Sequence, residues 1–431
     1  MKDWNEGHVN GHSAKDAADR EHARHLNGGN GAAHQAESCP IWPDKTFSGN
    51  VRGNSQANFT AFLQWAGIAM RQSDFTGRQW LRRGKDGPWF ELNDEWLRAL
   101  RLECDRLGCA SQKKFWEDVL RDIASRVRFH EVREWLATLQ HDGTPRIETW
   151  LAKYLGVKDT PLTRKMGRII LIAAVRRVMQ PGCKFDIMVV LEGEQGAGKS
   201  SVVKILAGKW GSDSLPIGSD PKIVMEQTEG IWLVEIPELT GLRSREVENV
   251  KAMISREVDR ARLAWGTCAV DRPRQFTMWG TVNNCEYLQD TTGNRRFWPL
   301  RVGQIDLDGL RRDRDQLWAE AVIAEHLGES VELPPKMWAL AAAEQAQRLV
   351  VDPWEAILAP LLDGKDGYVM TTDINIKLGL DARHQNSGGA RRIANILNKL
   401  GFERRRVSAD GGRPYAYTRG EGGKDATRIV L

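Results

Sequence analysis

The chain has 431 residues, of which 41% are hydrophobic and 28% charged, with a formal net charge of +5. That length and balance suit two or three soluble domains with a sizeable core. No apolar run approaches the roughly 18 to 20 residues that cross a bilayer, and the opening MKDWNEGHVNGHSAKD lacks a secretory apolar stretch, so a cytoplasmic protein with no membrane partner is expected. The six cysteines, Cys39, Cys104, Cys109, Cys183, Cys268 and Cys285, form no C-x-x-C pair, which argues against a zinc site or a disulfide framework.

In chain order, residues 1–46 are rich in Gly, Asn, His, Ala and Asp and hold five of the nine histidines. They read as a disordered tail, because they cannot bury enough apolar surface to offset the entropy of ordering. Residues 47–150 read as a helical domain: in FWEDVLRDIASRVRFHEVREWLATL, Phe115, Val119, Ile123 and Val127 recur at helical spacing. Six tryptophans, Trp80, Trp89, Trp96, Trp116, Trp135 and Trp150, are placed in its core, with base stacking as the alternative.

Residues 151–345 carry the motifs. PLTRKMGRIILIAAVRRVMQ predicts an amphipathic helix over 161–180, closed by Pro181-Gly182, and IMVVL predicts a strand over 187–191. The next residues, Gly193-Glu194-Gln195-Gly196-Ala197-Gly198-Lys199-Ser200, match G-x-x-x-x-G-K-[ST] between that strand and a helix opening SSVVKIL. The loop's amide groups suit a phosphate chain at the positive end of the helix. Lys199 then reaches the β/γ-phosphates and Ser200 coordinates magnesium, so ATP and Mg²⁺ are the expected cofactors.

A second apolar run, IWLVEIPE, delivers Glu235 and then Glu238 near a strand end, where a carboxylate can serve metal and water, Glu235 being the first choice. A third, QFTMWGTV over 275–282, ends in Asn283, an amide able to orient the attacking water and sense the γ-phosphate. Arg295 and Arg296, in GNRRFWP, suit an arginine finger supplied to a neighbouring subunit.

This array, in this order, resembles the virulence-associated protein E family, P-loop ATPases of phages and mobile islands that are similar to superfamily 3 helicases and to the ring-forming AAA+ ATPases. The resemblance spans roughly residues 115–305. It implies an α/β P-loop core that holds ATP at Gly193 to Ser201, magnesium chemistry at Glu235 and Glu238, sensing at Asn283 and a trans finger at Arg295 or Arg296. It also implies a ring, hexameric by analogy, in a bacterial host cytoplasm. Residues 260–274 are implied to form a hairpin facing a DNA channel, where Arg260, Arg262, Arg272 and Arg274 meet phosphates and Trp265 stacks. The segment 259–266, DRARLAWG, departs from the family's usual run there.

Residues 346–431 close the chain. Over 371–431 there are 12 Lys and Arg against 6 Asp and Glu. Two helices and a strand pair across Asp410-Gly411-Gly412 outline a winged helix, with Arg391 and Arg392 on the second helix and Arg404, Arg405, Arg406 and Arg413 on the wing, facing DNA, with a protein-binding winged helix as the alternative. The function expected is an ATP-dependent DNA helicase of a mobile element. A non-translocating ATP switch on DNA is the alternative.

Overall fold

The computed structural model describes residues 39–215, 219–237, 244–262, 268–283, 287–288, 294–349, 352–381, 387–408, 412–420 and 427–431. The amino-terminal unit opens with α1 (Gln56–Trp65), β1 (Ile68–Ser73), β2 (Gln79–Arg83), β3 (Phe90–Glu91), α2 (Asp94–Arg106), α3 (Lys113–Ser125) and β4 (Arg128–Phe129). The purely helical reading of this unit is therefore corrected. Its strands form a four-stranded sheet in the order β3-β2-β1-β4, antiparallel except for β1 with β4. The helical period from Phe115 is real but stops at Ser125, and Val127 lies beyond the helix, 54% exposed. Trp96 and Trp116 fill the core of this unit, Trp150 lies in the core of the next, and Trp135 packs against that core. Trp80 and Trp89 are only half-buried.

The central unit follows as α4 (Glu131–Thr138), α5 (Trp150–Leu155), α6 (Pro161–Met179), β5 (Met188–Glu192), α7 (Lys199–Ala207), β6 (Gly211–Ser212), α8 (Pro221–Gln227), β7 (Leu233–Pro237), α9 (Ser244–Ile254), β8 (Val258–Ala261), β9 (Val270–Pro273), β10 (Thr277–Val282), β11 (Phe297–Arg301), α10 (Leu307–His326) and α11 (Trp338–Ala346). Five of these strands make one parallel sheet in the order β11-β5-β10-β7-β6. Strands β5, β7, β10 and β11 are buried on both faces, which is why they read as apolar runs, while the two-residue edge strand β6 is half-buried. On β5, Val189 and Leu191 enter the core shared with α5, α6, α7 and α10, while Met188 and Val190 enter the core on the other face.

Helix α6 starts on a reciprocal capping box between Thr160 and Thr163, with Pro161 at its first turn. It is buried around most of its circumference, from Leu162 to Val178, so the amphipathic reading gives way to that of a central helix. The amino-terminal unit meets this core through buried Phe75, which joins the central apolar cluster, and through ionic and polar contacts. Arg78 bonds Glu229 at 2.6 Å, and His130 bonds Gln275 at 2.7 Å.

The carboxy-terminal residues run α12 (Pro353–Leu362), β12 (Gly367–Val369), α13 (Thr371–Lys377), α14 (Ser387–Lys399), β13 (Glu403–Arg406) and β14 (Tyr415–Arg419). The strands form an antiparallel sheet in the order β12-β14-β13 around a separate apolar core that includes Leu358, Ile374, Ile393, Leu397 and Phe402. Asp410 and Gly411 of the expected turn lie outside the described residues. No described helix is long and apolar enough to cross a membrane.

Candidate nucleotide site

The loop from Gly193 to Gly198 leaves the carboxyl end of β5 and enters α7 at Lys199, the strand–loop–helix setting read from the sequence. Gly193 is small because Val302 lies against it: a Cβ there would sit 2.7 Å from the Val302 Cγ2. Gly198 caps the helix with φ at +90°, a conformation that side chains disfavour. The Val202 amide bonds the Gly198 carbonyl at 3.1 Å, so the amides of Lys199, Ser200 and Ser201 have no acceptor within the helix. They form the donor set that an anion needs. Glu194, Gln195 and Gly196 are exposed on the loop, with Ala197 half-buried.

Lys199 is buried, and its ammonium folds back on the loop, donating to the carbonyls of Gly193 at 2.8 Å and Glu194 at 2.7 Å and to the Asn283 Oδ1 at 3.0 Å. Burial lowers its pKa, and the charge of Glu235 pulls it partly back up. Strand β10 lies between β5 and β7, so its end delivers Asn283 directly to the lysine.

Glu235 is buried in β7, two residues before the strand ends. Its Oε1 accepts from the Ser200 hydroxyl at 2.5 Å and from Thr281 at 2.9 Å. Sequence reasoning missed Thr281, whose signal was a hydroxyl inside an apolar strand two residues before Asn283. Glu238 lies outside the described residues. Ser200 and Glu235 present two hard oxygen atoms to the same point, the donor chemistry that magnesium takes beside phosphates.

Glu192, the residue before Gly193, is fully buried and held by Arg348, whose guanidinium donates at 2.9–3.2 Å to both carboxylate oxygens. The Tyr287 hydroxyl adds a bond at 2.9 Å, and Arg348 also donates to Glu344 at 2.6 Å. Neither Glu192 nor Arg348 was singled out from the sequence.

The arginine doublet is elsewhere. Arg295 and Arg296 lie in a short 3₁₀ turn ahead of β11, whose first residue Phe297 pairs with Met188 and whose last, Arg301, pairs with Glu192. They thus stand at the amino edge of the sheet, separated from the P-loop edge by roughly 13 Å of strand. Within one chain neither arginine joins the site. Arg295 is exposed, and Arg296 donates to the Ser255 hydroxyl at 2.6 Å.

The expected hairpin exists as the antiparallel pair β8 and β9, and its tip, including Trp265, lies outside the described residues. Arg260 is exposed beside Asp271 at 3.4 Å, and Arg262 is exposed. Arg272 leans on Glu229 at 3.8 Å and donates to the Met225 carbonyl at 3.2 Å. Arg274 corrects the reading of a DNA contact. It is 2% exposed, grips both oxygens of buried Asp259 at 2.6 and 2.8 Å, and donates to the Met253 carbonyl, so it roots the hairpin instead.

In the carboxy-terminal unit, Arg391 and Arg413 are exposed. Arg392 is engaged internally, bidentate to Asp352 at 2.7 Å and over the Trp354 ring at 4.1 Å. Arg404 and Arg406 lie over the Tyr415 ring at 4.7 and 5.0 Å, and Arg405 pairs with Glu403 at 2.6 Å.

Comparison with known proteins adds the following. No curated protein matches the sequence. Solved structures similar to this chain include three apo structures of the NrS-1 C-terminal region, at 12% identity and TM-scores of 0.40–0.43, covering 83% of this chain and 97–98% of theirs. A model of the virulence-associated protein E-like domain matches residues 136–350, from α4 through the Arg348 contact. Residues 136–350 therefore belong to the virulence-associated protein E-like family, and their core is that of a nucleotide-binding P-loop ATPase.

Proposed function

We propose that the chain hydrolyses ATP with magnesium and uses the turnover to move along DNA, as a replication helicase of a phage or mobile element working in a homo-oligomeric ring, hexameric by analogy. The observation that carries the ATPase reading is the convergence of Lys199, Ser200, Glu235, Thr281 and Asn283 at one edge of a parallel sheet.

In the mechanism, the first-turn amides of α7 and the Lys199 ammonium bind the phosphates. Lys199 has to leave the Gly193 and Glu194 carbonyls to do so, exchanging neutral acceptors for charged ones. Ser200 and Glu235 would hold Mg²⁺, whose chemistry there would be to offset negative charge on the phosphates. Thr281 fixes the Glu235 carboxylate, and Asn283 orients the attacking water. Because Arg295 and Arg296 stand at the far edge of the sheet, one of them serves the site of the adjacent subunit, and hydrolysis follows assembly.

The β8–β9 hairpin presents Arg260 and Arg262 to single-stranded DNA in the channel. The carboxy-terminal unit, whose helix and strand order suits a winged helix, holds duplex through Arg391 and Arg413. The test is an ATPase assay with and without single-stranded DNA beside a strand-displacement assay on forked DNA. Stimulated hydrolysis with displacement supports the motor. Hydrolysis without displacement replaces it with an ATP switch that acts on DNA without translocating.

A further inference from the structure

The two tryptophans left out of the core, Trp80 and Trp89, share one face of the amino-terminal sheet. In the β1–β2 register, Met70 lies opposite Leu81 and Ile68 opposite Arg83. Met70, Ile68 and Leu81 turn into the core with Phe59, Trp96 and Trp116. The alternate residues, Arg71 opposite Trp80 and Ala69 opposite Arg82, occupy the outer face.

On that face the Arg71 guanidinium is sandwiched, 3.6 Å from the Phe129 ring centre and 4.1 Å from that of Trp89. Arg82 also lies over Trp89, at 4.9 Å, and Trp80 meets Phe129 edge-on at 5.9 Å. Arg71 is further fixed by Glu134 at 3.1 Å. Arg82 has no carboxylate partner among the described residues. The Trp80 Nε1, the Arg71 Nε and the Arg82 Nε are shielded from water with no acceptor.

Residues 68–91 and 126–129 together carry seven Lys and Arg against three Asp and Glu. Half-exposed rings held by guanidinium groups, on a small sheet with an excess of positive charge, suit bases by stacking and phosphates by charge.

We propose that the outer face of the β3-β2-β1-β4 sheet is a binding surface for single-stranded nucleic acid, with Trp80 and Trp89 as base-stacking platforms and Arg82 as a phosphate contact. The surface is separate from the hairpin and from the carboxy-terminal unit, and its action requires neither ATP nor a ring.

The test uses the full chain without nucleotide. Oligonucleotides carrying 5-iodouracil are irradiated on the protein and the linked peptides are mapped, while anisotropy gives the affinity for oligo-dT. Links at Trp80 or Trp89 are expected. Replacing both by Ala weakens oligo-dT binding roughly ten-fold or more, while replacing both by Phe keeps it within about three-fold. ATPase activity measured without DNA is unchanged in both variants. Oligo-rU beside oligo-dT separates RNA from DNA, and a duplex of equal length binds this face less well because its bases are already stacked. Should the Ala pair fail to fold, the Phe pair and the map of links still decide. Links confined to other segments, affinity for oligo-dT unaltered by the Ala pair, or poly-glutamate competing as well as oligo-dT for this face would each overturn the proposal.

Discussion

Arg348 closes on Glu192, the residue immediately before the P-loop, with both side chains buried and the guanidinium spanning both carboxylate oxygens at 2.9–3.2 Å. The strand that launches the phosphate loop is thereby fastened to the segment that leads toward the carboxy-terminal unit. Arg348→Met leaves a buried carboxylate with its charge uncompensated, and a loss of about 3–5 kcal/mol in stability is expected, read by chemical denaturation. The double variant Glu192→Met with Arg348→Met should recover most of it, since paired replacement removes both desolvation costs. Equal losses in single and double variants would show that the pair is not what stabilises this junction.

Glu235→Gln is expected to keep ATP bound and to slow hydrolysis by roughly a hundred-fold or more, because the amide keeps the shape and removes the charge. Thr281→Val removes one of the two hydrogen bonds to the Glu235 Oε1, and turnover should fall about ten-fold with little change in ATP affinity. Lys199→Ala, by contrast, should abolish tight ATP binding, since it removes the ammonium that reaches the phosphates. Wild-type turnover in Lys199→Ala would refute the nucleotide site itself.

The arginine doublet is tested by mixing. Lys199→Ala subunits retain their arginines, and Arg295→Ala or Arg296→Ala subunits retain their P-loop. Each is expected to be inactive alone and partly active when combined, at concentrations that permit assembly. Failure of every mixture to regain activity, with wild-type turnover per subunit independent of concentration, would exclude a finger acting in trans.

His130 supplies a pH test of the join between the amino-terminal unit and the core. Its Nδ1 accepts the Arg133 amide at 3.3 Å, so its Nε2 carries the proton donated to Gln275 at 2.7 Å. Burial lowers its pKa from 6.5 to about 4. The unfolded chain therefore takes up the proton first. This contribution is complete above pH 6.5 and is lost as the pH falls toward 4, by up to about 3 kcal/mol. His130→Asn retains a cap for α4 and should flatten that part of the stability profile. An unaltered slope in the variant would assign the acid loss to other groups.

Deleting residues 366–431 is expected to lower affinity for duplex DNA and to flatten its dependence on salt, since each basic residue on a phosphate releases counterions. Basal ATPase activity should persist. A slope unchanged by the deletion would give the carboxy-terminal unit to protein partners.

What could be read in advance follows from how local each signal is. Strands β5, β7 and β10 are buried on both faces, so their apolar runs stood out, and the loop spacing from Gly193 to Ser200 marked the candidate site between strand and helix. Thr281 was legible only as an anomaly within an apolar strand. The Glu192–Arg348 pair joins residues 156 positions apart and has no local signature. The amino-terminal sheet was hidden because two of its strands are two residues long and its outer face alternates arginine with tryptophan, while the helical period from Phe115 dominated the neighbouring text. The arginine doublet lies in a short 3₁₀ turn, and which edge of the sheet it occupies depends on the β11–β5 register, a pairing across more than 100 residues.

Arg274 and Asp259 sit where the two strands of the hairpin leave the body of the protein, and the clamp between them is dry on both sides. The hairpin is held a second time where Arg272 of β9 donates to the Met225 carbonyl of α8 at 3.2 Å. The Arg274 guanidinium also grips the carbonyl of Met253 in the last turn of α9, the helix that follows the strand bearing Glu235. One buried side chain thus ties the root of the hairpin to α9. The arginine read as a hand for DNA is instead the rivet at which β8, the end of β9 and α9 meet.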